Sequence, residues 1–201
     1  MVRRAAHTRL VRADELPKFY KGVTNLRNAI ARDYVLLLLF TGLRRGEAAT
    51  LRWTDIDFAE RVIGLPAVRT KAGRALSLPM NDVVRDMLVA RRALGNTGFV
   101  FPGAGESGRI SDTGLAAVAT ATGIVISAHD LRRTFCTIAE GCDISPIALK
   151  CLINHSIGSG VTEGYVQMAT ERRREAAQKV CDKIKLLCAV EAVAAPNVAR
   201  L

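Results

Sequence analysis

The run Tyr34-Val35-Leu36-Leu37-Leu38-Leu39-Phe40 sets the tightest limit on how this chain can fold. Within a helix from about Asn28 to Phe40 it is apolar on every side, and a helix without a polar face must be covered from all directions. The run falls far short of the roughly 20 apolar residues that a membrane span requires. It therefore marks the centre of a water-soluble core. Thr41-Gly42 ends the helix in a tight turn, and Leu43-Arg44-Arg45-Gly46-Glu47 opens the next, with Arg44 emerging at its start. The 201 residues, 49% of them hydrophobic, suffice for one substantial domain or two small ones.

Around this centre the chain reads as mainly helical. Asp14 is positioned to cap a first helix that tolerates Pro17 in its first turn. Segments 55–58, 61–66 and 75–79 are short, alternate apolar with polar residues and are separated by turns, so they predict a small antiparallel sheet. This places Lys71, in Thr70-Lys71-Ala72-Gly73, at a hairpin tip between Arg69 and Arg74. Asn81 caps a helix to about Leu94, with Gly95 as its stop. Residues 98–102 form a short anchoring segment, and 103–109, rich in glycine, have the composition of a mobile loop. Ser111 restarts a helix that ends near Gly123. The fold class is α+β, mainly α-helical, with a three-stranded antiparallel sheet.

The chemistry concentrates between Ala128 and Tyr165. Ser127, followed by Asp130 three residues on, forms a capping-box pattern that puts His129 and Arg132 on one face in the first turns of a helix. A helix N-terminus with exposed N–H groups also attracts phosphate. Ser145-Pro146 starts another helix, which ends at Asn154, a residue that tolerates the left-handed conformation, and leaves His155 just beyond. Gly158-Ser159-Gly160 precedes Thr162 and Tyr165. Each feature alone has an ordinary reading: His-x-x-Arg as a solvated helix face, Lys71 in a charged edge turn, His155 held by a helix dipole, Tyr165 as a packing residue. Glu47, one turn from Arg44, reads equally as its orienting partner or as an exposed neighbour.

Net charge narrows the partners. Lys and Arg total 29 against 19 Asp and Glu, a formal +10 with a pI near 9.9, which favours a polyanion such as nucleic acid. An anionic membrane surface would satisfy the same charge. The five cysteines include no C-x-x-C pair and are odd in number, which speaks against a disulfide framework and a structural zinc site. With three histidines, one of them the N-terminal His7, no ligand cluster at metal spacing is legible. No metal and no cofactor are expected. No signal peptide opens the chain, and a cytoplasmic protein is the default.

Taken in order, Arg44, Lys71, His129 with Arg132, His155 and Tyr165 resemble the catalytic signature of the tyrosine recombinases, the phage integrase family. The similarity runs from about Asp14 to about Lys179. It implies a helical catalytic domain with a small sheet whose hairpin carries the catalytic lysine. It implies transesterification on double-stranded DNA with Tyr165 as nucleophile and a 3′-phosphotyrosyl intermediate, resealed without ATP. Arg44 and Arg132 would then face the non-bridging oxygens, His129 and His155 would donate to them, and Lys71 would protonate the leaving 5′ oxygen, with His129 the better candidate base. Arg45, Arg69, Arg74, Arg133 and Lys150 are expected to contact the DNA backbone. Where the family usually has glycine before the third-motif histidine, this chain has Asn154.

The resemblance also divides the chain: a basic linker over 1–12, the catalytic core over 13–168, and a helix and tail over 169–201, with the N-terminal core-binding domain absent. It implies a homo-oligomer, a tetramer, on paired DNA sites and a monomeric isolated domain. Two alternatives share the fold: a type IB topoisomerase-like enzyme and a DNA-binding protein without catalysis. In the tail, Ala177, Val180, Cys181, Ile184 and Cys188 make one apolar helical stripe. Docking on a neighbouring copy and docking on its own domain suit that stripe equally. The expectation adopted is docking on the neighbour during assembly.

Overall fold

The computed structural model describes residues 9–95, 98–111, 113–155 and 170–190. Three helices come first: α1 (Leu16–Thr24), α2 (Ala29–Thr41) and α3 (Arg45–Ala49). The strands β1 (Ile56–Asp57), β2 (Val62–Leu65) and β3 (Leu76–Pro79) follow. Then come α4 (Asp82–Arg92), α5 (Thr113–Thr122), α6 (Ala128–Glu140), α7 (Pro146–Leu152) and α8 (Thr170–Leu187). Among the described residues no helix is long and apolar enough to cross a membrane.

The all-apolar helix takes the central place. Asn28 caps α2 by accepting the N–H groups of Ile30 at 3.0 Å and Ala31 at 3.1 Å, and residues 33–41 are all buried. Helices α1, α3, α4, α5, α6 and α8 all pack against it. It ends at Gly42, whose φ of 63° lies in the left-handed region. A Cβ at this position would stand 2.5 Å from Phe135 Cδ1, so glycine here permits both the turn and the close approach of α6.

The one carboxylate of α2 is also buried, and paired. Asp33 faces Arg91 of α4 at 2.9 Å, and Arg91 donates as well to the Val100 carbonyl at 3.2 Å and lies over the Phe101 ring. This pair fixes α4 and the segment around Phe101 to the central helix. The sheet is antiparallel in the order β1-β2-β3, with Ile63 opposite Leu78 and Leu65 opposite Leu76. Those four side chains are buried, so one face of the sheet joins the core.

Several expectations need correction. Asp14 does not cap α1: the N-cap position is Glu15, whose carboxylate instead takes the Arg12 N–H at 3.1 Å. Residues 9–12 are not a detached linker, because Val11 is fully buried and its N–H donates to Thr134 Oγ1 at 2.9 Å on α6. The glycine-rich 103–109 segment is a closed turn, with Gly103 N–H donating to Gly108 O at 3.1 Å and Pro102 bridged to Arg109.

In the single chain the tail takes the other of the two arrangements weighed for it. Helix α8 docks on its own domain, packing against α2, α4, α6, α7 and β3. The stripe Ala177, Val180, Cys181, Ile184 and Cys188 is buried there. Polar contacts fasten the rim: Gln178 Oε1 accepts the Asp82 N–H at 3.0 Å, Lys185 meets Asp82 at 3.1 Å, and Lys179 donates to the Asp143 carbonyl at 3.0 Å. Burial pushes the Cys188 thiol up to about 12 and, together with Asp82, raises that of Cys181, so both behave as inert core side chains.

Candidate active site

The site is assembled from three turns and one helix. The first turn joins α2 to α3. Because Gly42 reverses the chain there, Arg44 leaves the core with extended backbone and a side chain 24% exposed. Glu47 is 3% exposed and holds this arginine twice: Oε2 accepts the Arg44 N–H at 3.0 Å, and Oε1 accepts from its Nη1 at 3.0 Å. Of the two readings for Glu47, burial favours the orienting partner over the exposed neighbour.

The helix is α6. Ser127 accepts the Asp130 N–H at 3.3 Å, and the Asp130 carboxylate takes the Ser127 N–H at 2.8 Å, which completes the capping box. This carboxylate offsets the positive end of α6, so phosphate attraction here falls mainly to side chains rather than to the helix terminus. His129, the second helical residue, is exposed, and Arg132, one turn on, is buried beneath that face.

Arg132 has partners that no spacing rule foretells. Its Nη1 donates to the Gly42 carbonyl at 2.6 Å and its Nη2 to the Ile153 carbonyl at 2.7 Å. Gly42 lies two residues before Arg44, and Ile153 lies two before His155. One guanidinium therefore fastens the first turn to the last. Burial lowers the pKa of Arg132, and the neighbouring charge of Arg44 lowers it further, while Cys136 and Glu47 act in the opposite sense. The two cations oppose one another, with Glu47 as a partial counterweight, so an oxyanion bound beside them would relieve both.

The last turn follows α7. Ser145 caps that helix by accepting the Ala148 N–H at 3.1 Å. At its other end Asn154 adopts a φ of 49°. The His155 N–H reaches back to Lys150 O at 2.9 Å and the Asn154 N–H to Cys151 O at 3.3 Å, a Schellman pattern. Asn154 thus serves as the left-handed terminator, and His155 emerges exposed beside it.

The third turn is the connection from β2 to β3. It is longer than a simple hairpin tip, spanning 66–75 with a 3-10 turn at Ala67–Arg69. Lys71 stands exposed in it, next to the buried Thr70, whose hydroxyl donates to Arg74 O at 2.6 Å. Asn154 Nδ2 donates to the same Arg74 carbonyl at 3.3 Å, linking this loop to the turn of His155. Among the groups expected on DNA, Arg45 and Arg74 are exposed, and Arg133 and Lys150 are half-buried. Arg69 is placed differently: its guanidinium grips both oxygens of Asp55 and donates to Thr50 O at 3.2 Å, a structural clamp. Tyr165 lies outside the described residues.

The structure thus links the turns that carry Arg44, Lys71 and His155 through Arg132 and Asn154, with Glu47 holding Arg44 and with His129 exposed one helical turn before Arg132. What sequence reasoning missed is the set of backbone carbonyls at Gly42, Ile153 and Arg74 that receive Arg132 and Asn154. A carbonyl has no sequence signature.

Comparison with known proteins points the same way. The model of the phage integrase family matches residues 9–172. The prophage integrase IntF of Escherichia coli (strain K12) is 28% identical over 175 residues, covering 83% of this chain and 37% of that protein. The chain spans between 37% and 48% of the length of the curated relatives it matches. Among solved structures, the integrase from mycobacterium phage Brujita shares the fold with a TM-score of 0.67 at 22% identity, over 89% of this chain and 60% of that one. A lambda integrase tetramer bound to a Holliday junction gives 0.58 at 20% identity, over 79% of this chain and 49% of that one. A single family description accounts for the chain from the buried Val11 through the first residues of α8, and on that ground the chain belongs to the phage integrase family.

Proposed function

We propose that the chain is the catalytic domain of a site-specific DNA recombinase, which cleaves and rejoins strands through a 3′-phosphotyrosyl bond to Tyr165. The observation that carries this reading is the Arg132 clasp, which ties the turn of Arg44 to the turn of His155 and holds two guanidiniums near one another. In the reaction the Tyr165 phenol oxygen bonds to phosphorus and loses its proton to a neighbouring base, for which His129 is the candidate. Charge then builds on the non-bridging oxygens, where Arg44 and Arg132 donate. The bond to the 5′ oxygen breaks, and Lys71 supplies that oxygen with a proton. The reverse sequence, with another strand's hydroxyl attacking, reseals the backbone.

Double-stranded DNA is the partner that this chemistry requires, and the exposed Arg45 and Arg74 with the half-buried Arg133 and Lys150 are suited to its phosphates. Assembly of copies on paired sites, as in the lambda integrase tetramer, extends the same reading. The test is mass spectrometry of the chain after incubation with a pool of nicked suicide duplexes of randomised sequence. A DNA adduct on the Tyr165 peptide is expected, and Tyr165→Phe should abolish it while leaving DNA affinity nearly unchanged. An adduct that persists in the variant, or none in the wild-type chain, refutes the assignment.

A further inference from the structure

Three turns supply Arg44, Lys71 and His155, and Arg132 joins only the first to the last. The loop of Lys71 is held by a different contact. The Arg74 carbonyl accepts Thr70 Oγ1 at 2.6 Å and Asn154 Nδ2 at 3.3 Å, so one acceptor closes the segment 70–74 upon itself and ties it to α7. Lys71 stands between the two residues of that closure. We propose that Asn154 is a positioning residue, whose side-chain amide sets where the Lys71 ammonium stands relative to His155 and so governs proton delivery to the departing 5′ oxygen.

This rests on the recombinase reading above. The backbone at position 154 does not itself demand asparagine, because glycine accepts a φ of 49° without strain. Removing the amide therefore separates the tie to the loop from the turn that presents His155. The electron balance gives the experiment its discrimination. When phosphorus gains its bond to Tyr165, the electron pair of the breaking bond passes to the 5′ oxygen, which takes a proton from Lys71 Nζ. A 5′-bridging sulfur leaves as a thiolate, whose conjugate acid has a pKa of about 8.5, and needs no such proton.

The full chain, as wild type, Asn154→Gly, Asn154→Asp and Lys71→Ala, is reacted in single turnover with suicide duplexes recovered from the randomised pool, made with oxygen or with sulfur at the scissile 5′ position. Both Asn154 variants should slow adduct formation on oxygen by about tenfold or more, a fraction of the 10²–10⁴ that a positioned acid contributes. On sulfur both should run within about twofold of wild type, as Lys71→Ala should. No slowing on oxygen, or equal slowing on both substrates, overturns the inference and leaves the recombinase reading standing. A Lys71→Ala chain that stays slow on sulfur also overturns it, by removing the proton donor it needs. Absence of an adduct from the wild-type chain overturns the recombinase reading and this inference together.

Discussion

Replacing Arg132 by lysine keeps a positive charge and removes the fork, which makes it the sharpest probe of the clasp. The two bonds at 2.6 and 2.7 Å run to carbonyls on different turns, and a single ammonium on a shorter stem reaches one of them. A hydrogen bond to a charged group contributes about 1.5–3 kcal/mol, so losing one should destabilise the fold by about that amount. For a chain of this size each kcal/mol corresponds to about 2–4 °C, giving a fall in Tm of about 3–12 °C. The effect on catalysis should be larger, because a missing transition-state donor costs about 10²–10³ in rate. The DNA dissociation constant should move little, since the number of cations is unchanged. The burial and the Arg44 charge that lower the pKa of Arg132 would act on the lysine too. From an ordinary value of about 10.4 it starts far closer to neutrality than arginine, so the defect should deepen as pH rises. Calorimetry, single-turnover cleavage and a binding titration on one preparation read all three quantities. Cleavage within threefold of wild type would reduce Arg132 to a scaffold, and an unchanged Tm would show that the carbonyl bonds hold nothing together.

Asp33→Ala leaves Arg91 buried against carbonyls and the Phe101 ring without its carboxylate, and loss of one member of a buried pair should cost about 3–5 kcal/mol, read as a shift in urea midpoint at constant m; a loss below about 1 kcal/mol would refute the pairing. Asp82 predicts a dependence on acid: burial opposes its charge, but Gln178, Cys181, Lys185 and the Val83 N–H hold the carboxyl at about 2 against an ordinary 3.8. A depressed value means that its contribution is present above the unfolded pKa and disappears as pH falls through about 2, so the difference in urea midpoint between wild type and Asp82→Asn should shrink over that range. Because the side chain is 38% exposed, solvent screening keeps that difference below about 1 kcal/mol, and a difference undiminished at pH 2 would refute the linkage.

The sequence made α2 legible because an all-apolar helix has only one place to go. Asn81, Ser127 and Ser145 were equally legible, since a short polar side chain ahead of a periodic stretch has a local partner, and each accepts a backbone N–H of its own helix. Arg69 escaped because its partner, Asp55, comes from a different segment, and an arginine beside a reactive turn looks the same whether it faces a carboxylate or a phosphate. Val11 was hidden among arginines, and the α6 hydroxyl that its N–H meets lies 123 residues further on. For α8 the pattern revealed that a face is covered but not by what: a stripe of small and branched side chains fits its own core as well as a neighbour's. The order of the candidate residues could be read from the sequence, whereas the bonds that join the turns carrying them could not.

The Arg132 clasp spans 90 residues of sequence to Gly42, and the Asn154 tie spans 80 to Arg74. Contacts this distant require closure of the intervening chain, so no local segment forms them alone. A nascent or partly unfolded chain thus carries every reactive side chain but no arrangement of them. Under the proposed function, DNA cleavage is in this way withheld until the architecture is complete, and a misfolded copy errs toward inactivity rather than toward stray nicks in the genome.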